Sequence, residues 1–527
     1  MGQPRPRSLD FRRRSSRRRS SSYGGQASYG GQVARDDGGG CRNPRSLAPF
    51  LLLGLLSAAC AVGPNYRKPS VPASDRYREA PPPDWKMAEP SDTAPRGRWW
   101  EVFGDEDLNA LEEQVSISNQ NVLQAEAAYR VARAVARGAR GDLFPTVSAS
   151  AGATRSQGAA RATPGVSGTP GASDLYTLSG NVSWEIDLWG RIRRTVEANV
   201  AAAQASEADL ESARLSFQAE LATDYFALRE ADSEKQLLDT NVAAYEKALK
   251  LTSDRFDQGV VSGVDVAQAR TQFSSTRAQA TDVALRRAQL EHAVAVLVGK
   301  APADLTLAVR PLSDEPPAVP LVVASELVER RPDVASAERQ AAAANARIGV
   351  AQAAFFPTLG LSASGGYGSS AIAGLISLPN RFWSIGASLV ETLFSGGKRR
   401  AAKEQAVAAY DSAVAAYRQS VLTAFQDVED QLAAARLLGE ESKDQADAVA
   451  AAERALSLAQ TRYQGGITSY LEVITAESAA LANERAAVQL VGRRMEADVA
   501  LVRALGGGWR SSDLPSGSAV LSRSGRP

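Results

Sequence analysis

The chain has 527 residues, more than one ordinary domain needs, and its formal net charge of +1 hides an asymmetry. Residues 1–59 hold eleven Arg against three Asp, so the remainder carries about −7, which argues against nucleic-acid binding by the body of the protein. The only histidine, His292, leaves no partner for a Ser-His-Asp triad or a multi-histidine metal site, and no glycine-rich phosphate loop follows a strand; an enzyme, a cofactor and a metal are not expected.

Residues 1–45, with RRRSSRRRS and SYGGQASYGG, are too polar to build a core and read as disordered. They are either a nucleic-acid or phosphosite tail or, the preferred reading, the result of a start codon assigned too far upstream. Arg42 and Arg45 then precede LAPFLLLGLLSAA, an apolar run too short to span a bilayer as a stable helix and ending in small residues, which marks a secretory signal. Cys60 follows at once, and no cysteine lies beyond it. A lone cysteine after a signal is a candidate for lipid modification, against ordinary cleavage that leaves a free thiol. LSAAC resembles a bacterial lipobox with Ser57 where Leu is usual, and Ala61 after the cysteine fits sorting to the outer membrane, as in bacterial lipoproteins generally.

Residues 60–98 are rich in Pro and polar side chains and predict an extended strap over the surface. WWEVFGDEDLNALEEQ opens the first helix, with Asp105 available to cap it; the helix is predicted over 107–140, before Pro145 stops it. Two strands follow, separated by a Gly/Ser/Ala/Thr/Pro loop over about 155–174. In the first, Val147, Ala149, Ala151 and Ala153 alternate with Thr146, Ser148, Ser150 and Thr154. In the second, Tyr176, Leu178, Val182, Trp184 and Ile186 alternate with Thr177, Ser179, Asn181, Ser183 and Glu185. One face is apolar and the other is polar.

A soluble sandwich alternates in the same way. Strand length favours a membrane strand, which needs about 9 to 11 tilted residues, and so do aromatic residues at the strand ends: Tyr176, Trp184 and Trp189 here, Phe382 and Trp383 further on.

From Gly190 a very long helix begins. Leu210, Phe217, Leu221, Leu228, Leu238, Val242, Tyr245 and Leu249 fall on two heptad seams with polar interruptions, the pattern of a coiled coil. It ends at the turn RFDQGVVSG, where glycine permits the reversal of a helical hairpin, and a return helix is predicted over 263–298.

The second half repeats the first. RRPDVASAERQAAAANARIGVAQAAFFPTLGLSASGGYG changes from helical to alternating periodicity at Pro357, as NQNVLQAEAAYRVARAVARGARGDLFPTVSASAG does at Pro145. A second long helix runs through Tyr410, Tyr417, Val421, Val428 and Leu438 to the turn RYQGGITS, where Gly466 matches Gly259 and Glu472 matches Asp265. The second return is predicted over 469–505. The chain thus divides into a basic extension with signal (1–59), a strap (60–106), a first repeat (107–318), a second repeat (319–506) and a tail (507–527) expected to be disordered.

At about 1.5 Å per residue the outbound helices cover about 100 Å, whereas each return covers about 54 Å. The helix predicted over 325–353 is expected to complete the first return, and the N-terminal helix the second. Four membrane strands cannot close a barrel, and open edges in hydrocarbon leave backbone groups unpaired, so the chain must find copies of itself. Three copies give twelve strands with room for a lumen, where two give a barrel filled by its own side chains.

CAVGPNYRKPSVP, WWEVFGDEDLNAL, ERRPDVASAERQAAAANARIGVAQAAFFP and the turns RFDQGVVSG and RYQGGITS resemble the TolC family of outer-membrane efflux proteins, in particular its NodT-type lipoprotein branch. The resemblance spans residues 60–507 and implies an α+β membrane protein. It implies a homotrimer whose twelve-stranded barrel, four strands per chain, lies in outer-membrane lipid and continues as a periplasmic α-helical barrel. It further implies a periplasmic adaptor protein docked at the helical tips and an inner-membrane pump of the resistance-nodulation-division class.

The same resemblance places an acidic ring at Glu472, with Thr475 where relatives often carry a second Asp, and makes Asp265 of the first copy a further candidate for the constriction. Facing carboxylates would repel one another and attract cations. Both acids also suit helix starts, where the helix dipole favours them. Gly259, Val260, Gly466 and Ile467 are the expected adaptor contacts, besides forming the turns. A duct for protein secretion and a peripheral coiled-coil scaffold are the alternatives.

Overall fold

The computed structural model describes residues 61–72, 76–79, 97–157, 171–312 and 327–522. Helices Glu106–Ser118 (α1) and Gln120–Gly141 (α2) lead into strands Thr146–Ser156 (β1) and Ser173–Ile186 (β2), then a long helix, Arg191–Asp257 (α3), and its return, Gly263–Leu297 (α4). The second half has the same order: Pro332–Ala353 (α5), Thr358–Ser369 (β3), Arg381–Val390 (β4), Lys398–Gln464 (α6) and Tyr470–Ala504 (α7). Both long helices have 67 residues and both returns 35, so the duplication extends to element lengths.

Local chemistry fixes the helix starts. Asp105 accepts from the backbone of Asp107 and Leu108 at 2.9 and 3.1 Å, and Pro332 stands in the first turn of α5, where no amide partner is needed. At the start of α3 the Asp187 carboxylate accepts from the backbone of Ile192 and Arg193. The predicted single N-terminal helix is two, because Asn119 adopts an extended backbone and caps α2 through its side chain. Its amide also donates to Leu297 O at 2.8 Å, tying the break to the end of α4.

That tie corrects the expected pairing of short helices. The end of α4 meets the α1–α2 junction, with Ser118 Oγ donating to Val298 O at 2.9 Å, so α2 and α4 complete one composite rod. The end of α7 meets the start of α5, with Arg331 donating to Ala504 O, so these form the other. Gly299, at φ 73°, turns the chain aside where a Cβ would collide with Ser118 O. Arg287 and Arg229 then hold Leu307 O and Ala308 O at 2.8 and 2.6 Å, so the linker crosses α3 instead of prolonging α4.

Helix α3 packs against α2 and α5 towards the strands, and against α4 and α7 towards the turns; α6 packs against α5 and then α7. The main core lies where these levels meet, around Trp99, Leu108, Tyr225, Tyr417, Val428 and Leu501. The tail is not disordered through Ser522. A short helix, Gly517–Leu521 (α8), buries Val520 against Ala136 and Ala203, and Gln204 donates to Pro515 O at 2.8 Å.

The strands form one antiparallel sheet in the order β1-β2-β3-β4. Register puts Val147, Val182, Ala363 and Ile385 in one row, and Ser148, Asn181, Ser364 and Ser384 in the adjacent row on the opposite face. The first face is apolar from the helix end through the middle of the sheet and carries Arg155, Asp174 and Arg381 at the loop end. Strands β1 and β4 are exposed along their whole length, and Ile385 keeps 78% of its surface accessible. Among the described residues of one chain, neither face of these edge strands is covered.

Candidate functional site

At the far end from the sheet the two hairpins turn in the same way. Gly259 N donates to Phe256 O and Val260 N to Arg255 O; in the second copy Gly466 N donates to Tyr463 O and Ile467 N to Arg462 O. This paired bonding requires a left-handed residue, supplied by Gly259 and Gly466 at φ 76° and 69°. Val260 and Ile467 project from the turns, 67% and 72% exposed, leaving an apolar tip without a partner among the described residues.

The acids predicted at the constriction differ in what holds them. Asp265 is folded into a capping box: its Oδ2 accepts from Ser262 N at 2.9 Å and Ser262 Oγ at 2.8 Å. Glu472 is half exposed, and its carboxylate lies 3.8 Å from Arg462. Thr475 donates its hydroxyl to Leu471 O at 2.8 Å, a bond within its own helix.

Two contacts between the hairpins were not singled out from the sequence. Arg255 of α3 donates to Tyr463 OH at 3.3 Å, and the Tyr463 ring lies 5.3 Å from that of Tyr470. The repeat held a clue, since Arg255-Phe256 matches Arg462-Tyr463. Nearer the core, the buried Glu234 carboxylate of α3 accepts from Arg485 of α7 at 2.6 and 2.9 Å and from Arg286 of α4 at 3.3 Å. Charge-assisted bonds from two helices thus converge on one desolvated acid and clasp the hairpins.

Of the aromatic residues predicted to ring the sheet, Tyr176 and Trp383 lie on the apolar face towards one end, and Trp184 on the same face towards the helices. Trp184 donates to Leu143 O at 3.1 Å. Trp189 lies beyond the strand, stacked on Phe356 at 4.8 Å and donating to Pro357 O. Phe382 does not share that face: it pairs with Gly366 on the polar face, because the side-chain period of two separates it from its neighbour Trp383. Cys60 lies outside the described residues.

A sheet with one apolar face, joined to long paired helices that end in exposed apolar turns, can carry a path from a membrane into an aqueous space. A family model described as outer membrane efflux protein matches residues 111–300 and 323–507. The chain belongs to the outer membrane efflux protein family. It is 32% identical over 465 residues to the pyoverdine export outer membrane protein OpmQ of Pseudomonas aeruginosa, a match covering 87% of this chain and 97% of that one. Among solved structures, the outer-membrane channel OprN superposes with a TM-score of 0.76 at 32% identity, covering 85% of this chain and all of that chain. The open state of the Neisseria gonorrhoeae MtrE outer membrane channel superposes at 0.74 and 28%, covering 86% and 99%. The TolC-like resemblance of the motifs therefore holds, and this efflux protein is an outer-membrane exit duct of an efflux pump.

Proposed function

We propose that three copies assemble so that their sheets close a twelve-stranded barrel in outer-membrane lipid and their helices prolong it into a periplasmic tunnel. One observation carries this reading: the sheet is exposed on both faces, apolar on one, with edges β1 and β4 unpaired. In hydrocarbon such edges must pair, and β1 of one copy against β4 of the next satisfies both. The helices need the same partners. Only six residues of α6 are buried, which leaves Leu422, Leu437 and Leu458 exposed along it, while α2 and α4 expose Val131, Val135 and Leu285. These faces complement one another between copies.

Small molecules pass through passively; nothing is turned over. OpmQ is named for the export of pyoverdine, which favours a small-molecule cargo over a secreted protein. The exposed turns with Val260 and Ile467 receive a periplasmic adaptor, through which an inner-membrane pump of the resistance-nodulation-division class supplies the energy. Acylation of Cys60 anchors the mature chain.

Glu472, Asp265 and Thr475 near the turns are the constriction candidates, and of these Glu472 is the acid with a carboxylate not engaged in a helix cap. Three Glu472 carboxylates around one axis repel each other, and the Arg462 beside each tempers that repulsion. Planar-bilayer recording tests this: Glu472→Ala should raise the resting conductance, and an unchanged conductance would remove Glu472 from the constriction. Extraction separates a barrel from a peripheral scaffold. The duct should stay in membranes through carbonate and leave only with detergent; release by carbonate would favour the scaffold.

A further inference from the structure

Glu477 of α7 lies where both hairpins meet, more than a helical turn beyond Glu472. It is 9% exposed. Gln460 of α6 hydrogen-bonds its side chain, and its Oε2 has no hydrogen-bond partner among the described residues. The groups around it come from every packed helix: Tyr245 of α3, Tyr470 of α7, Gln460 of α6, and Gln272 of α4 through its bonds to Tyr245 and Ser478, with Glu484 of α7 on the far side of Tyr245. None of them is a cation. Glu484 in turn faces Glu453 of α6 and Asn241 of α3.

A carboxylate buried among phenols and amides with one oxygen unpaired is costly when ionised and tolerable when neutral. We propose that Glu477 is a proton-holding latch of the duct: it is neutral while the α3–α4 and α6–α7 hairpins are packed together, and their separation exposes it and releases its proton to water. This rests on the constriction near the turns proposed above, and it adds a group distinct from the acidic ring.

The direction with pH follows. Burial pushes the Glu477 carboxyl up to about 7, the Gln460 bond opposing, whereas an exposed glutamate ionises near about 4.3. The packed state therefore binds the proton more tightly than the separated one. Its advantage is complete below about pH 4.3 and is lost as pH rises through about 7. Opening becomes easier across that window, by about 250-fold per chain at its upper end.

The test records open probability of the detergent-purified protein in planar bilayers between about pH 5.5 and 7.5. Wild type should open at least about tenfold more at the upper end than at the lower. Glu477→Gln keeps the shape and the bond to Gln460 but cannot ionise, and should stay near the acid value throughout. Glu477→Asp should restore the pH dependence, and Glu484→Gln should leave it as in wild type. The latch is refuted if Glu477→Gln retains the wild-type profile. A flat wild-type profile beside a leaky Glu472→Ala would also refute it while leaving the proposed constriction intact. If no form conducts at any pH, the duct itself fails and the latch with it.

Discussion

Asp265 and Glu472 occupy equivalent places in the two repeats, yet their surroundings assign them different work. Ser262 captures Asp265 in a capping box, whereas Ser469 makes no side-chain cap bond and Glu472 extends towards Arg462. Asp265→Ala should therefore cost about 1 kcal/mol at the start of α4, seen as earlier thermal unfolding, with conductance unchanged. A conductance change as large as that of Glu472→Ala would place Asp265 in the lumen. The repeat identified both acids, but which neighbour each one takes depends on side-chain reach. Glu477 and Glu234 escaped notice for a similar reason: each is one acid in a charged heptad pattern, and only the meeting of helices far apart in sequence buries them.

At the scale of elements, neighbouring strand positions should respond oppositely to the same charge. Ile385 lies mid-strand on the apolar face, and Ile385→Arg should cost about 2 to 4 kcal/mol and reduce the assembled protein recovered from membranes. Ser384 lies on the polar face beside Ser364, and Ser384→Arg should assemble normally. Equal recovery of both variants would contradict the assignment of faces. Alternation made the strands legible, and it also places Phe382 opposite Trp383, a consequence that reading both as end aromatics had overlooked. Helix lengths were legible too. Which short helix completes which return was not, because that depends on Gly299 and on the arginines that hold the linker across α3. The inter-hairpin clasp belongs to this scale. Glu234→Gln leaves Arg485 and Arg286 without their shared carboxylate and should raise resting conductance, as well as cost about 3 kcal/mol. Wild-type conductance and thermal stability in that variant would show the clasp to be idle.

For the whole molecule, the duplication supplies two hairpins of strands and two of helices, and neither set is complete in one chain. The sheet keeps both edges open, and α6 buries six residues along 67, whereas α3 is enclosed by helices on several sides. The sequence announced this incompleteness through strand count alone. It gave no warning that the tail would add a packed helix, since Ala519-Val520-Leu521 is a short apolar run among Ser and Gly, and the burial of Val520 against Ala136 and Ala203 is a tertiary contact.

The most direct test of the account is an image of the detergent-purified particle at a resolution sufficient to read its symmetry. A three-fold ring of chains, with a closed strand barrel continued by the paired helices, is expected. A single chain that remains folded and monodisperse with its sheet edges open would contradict it.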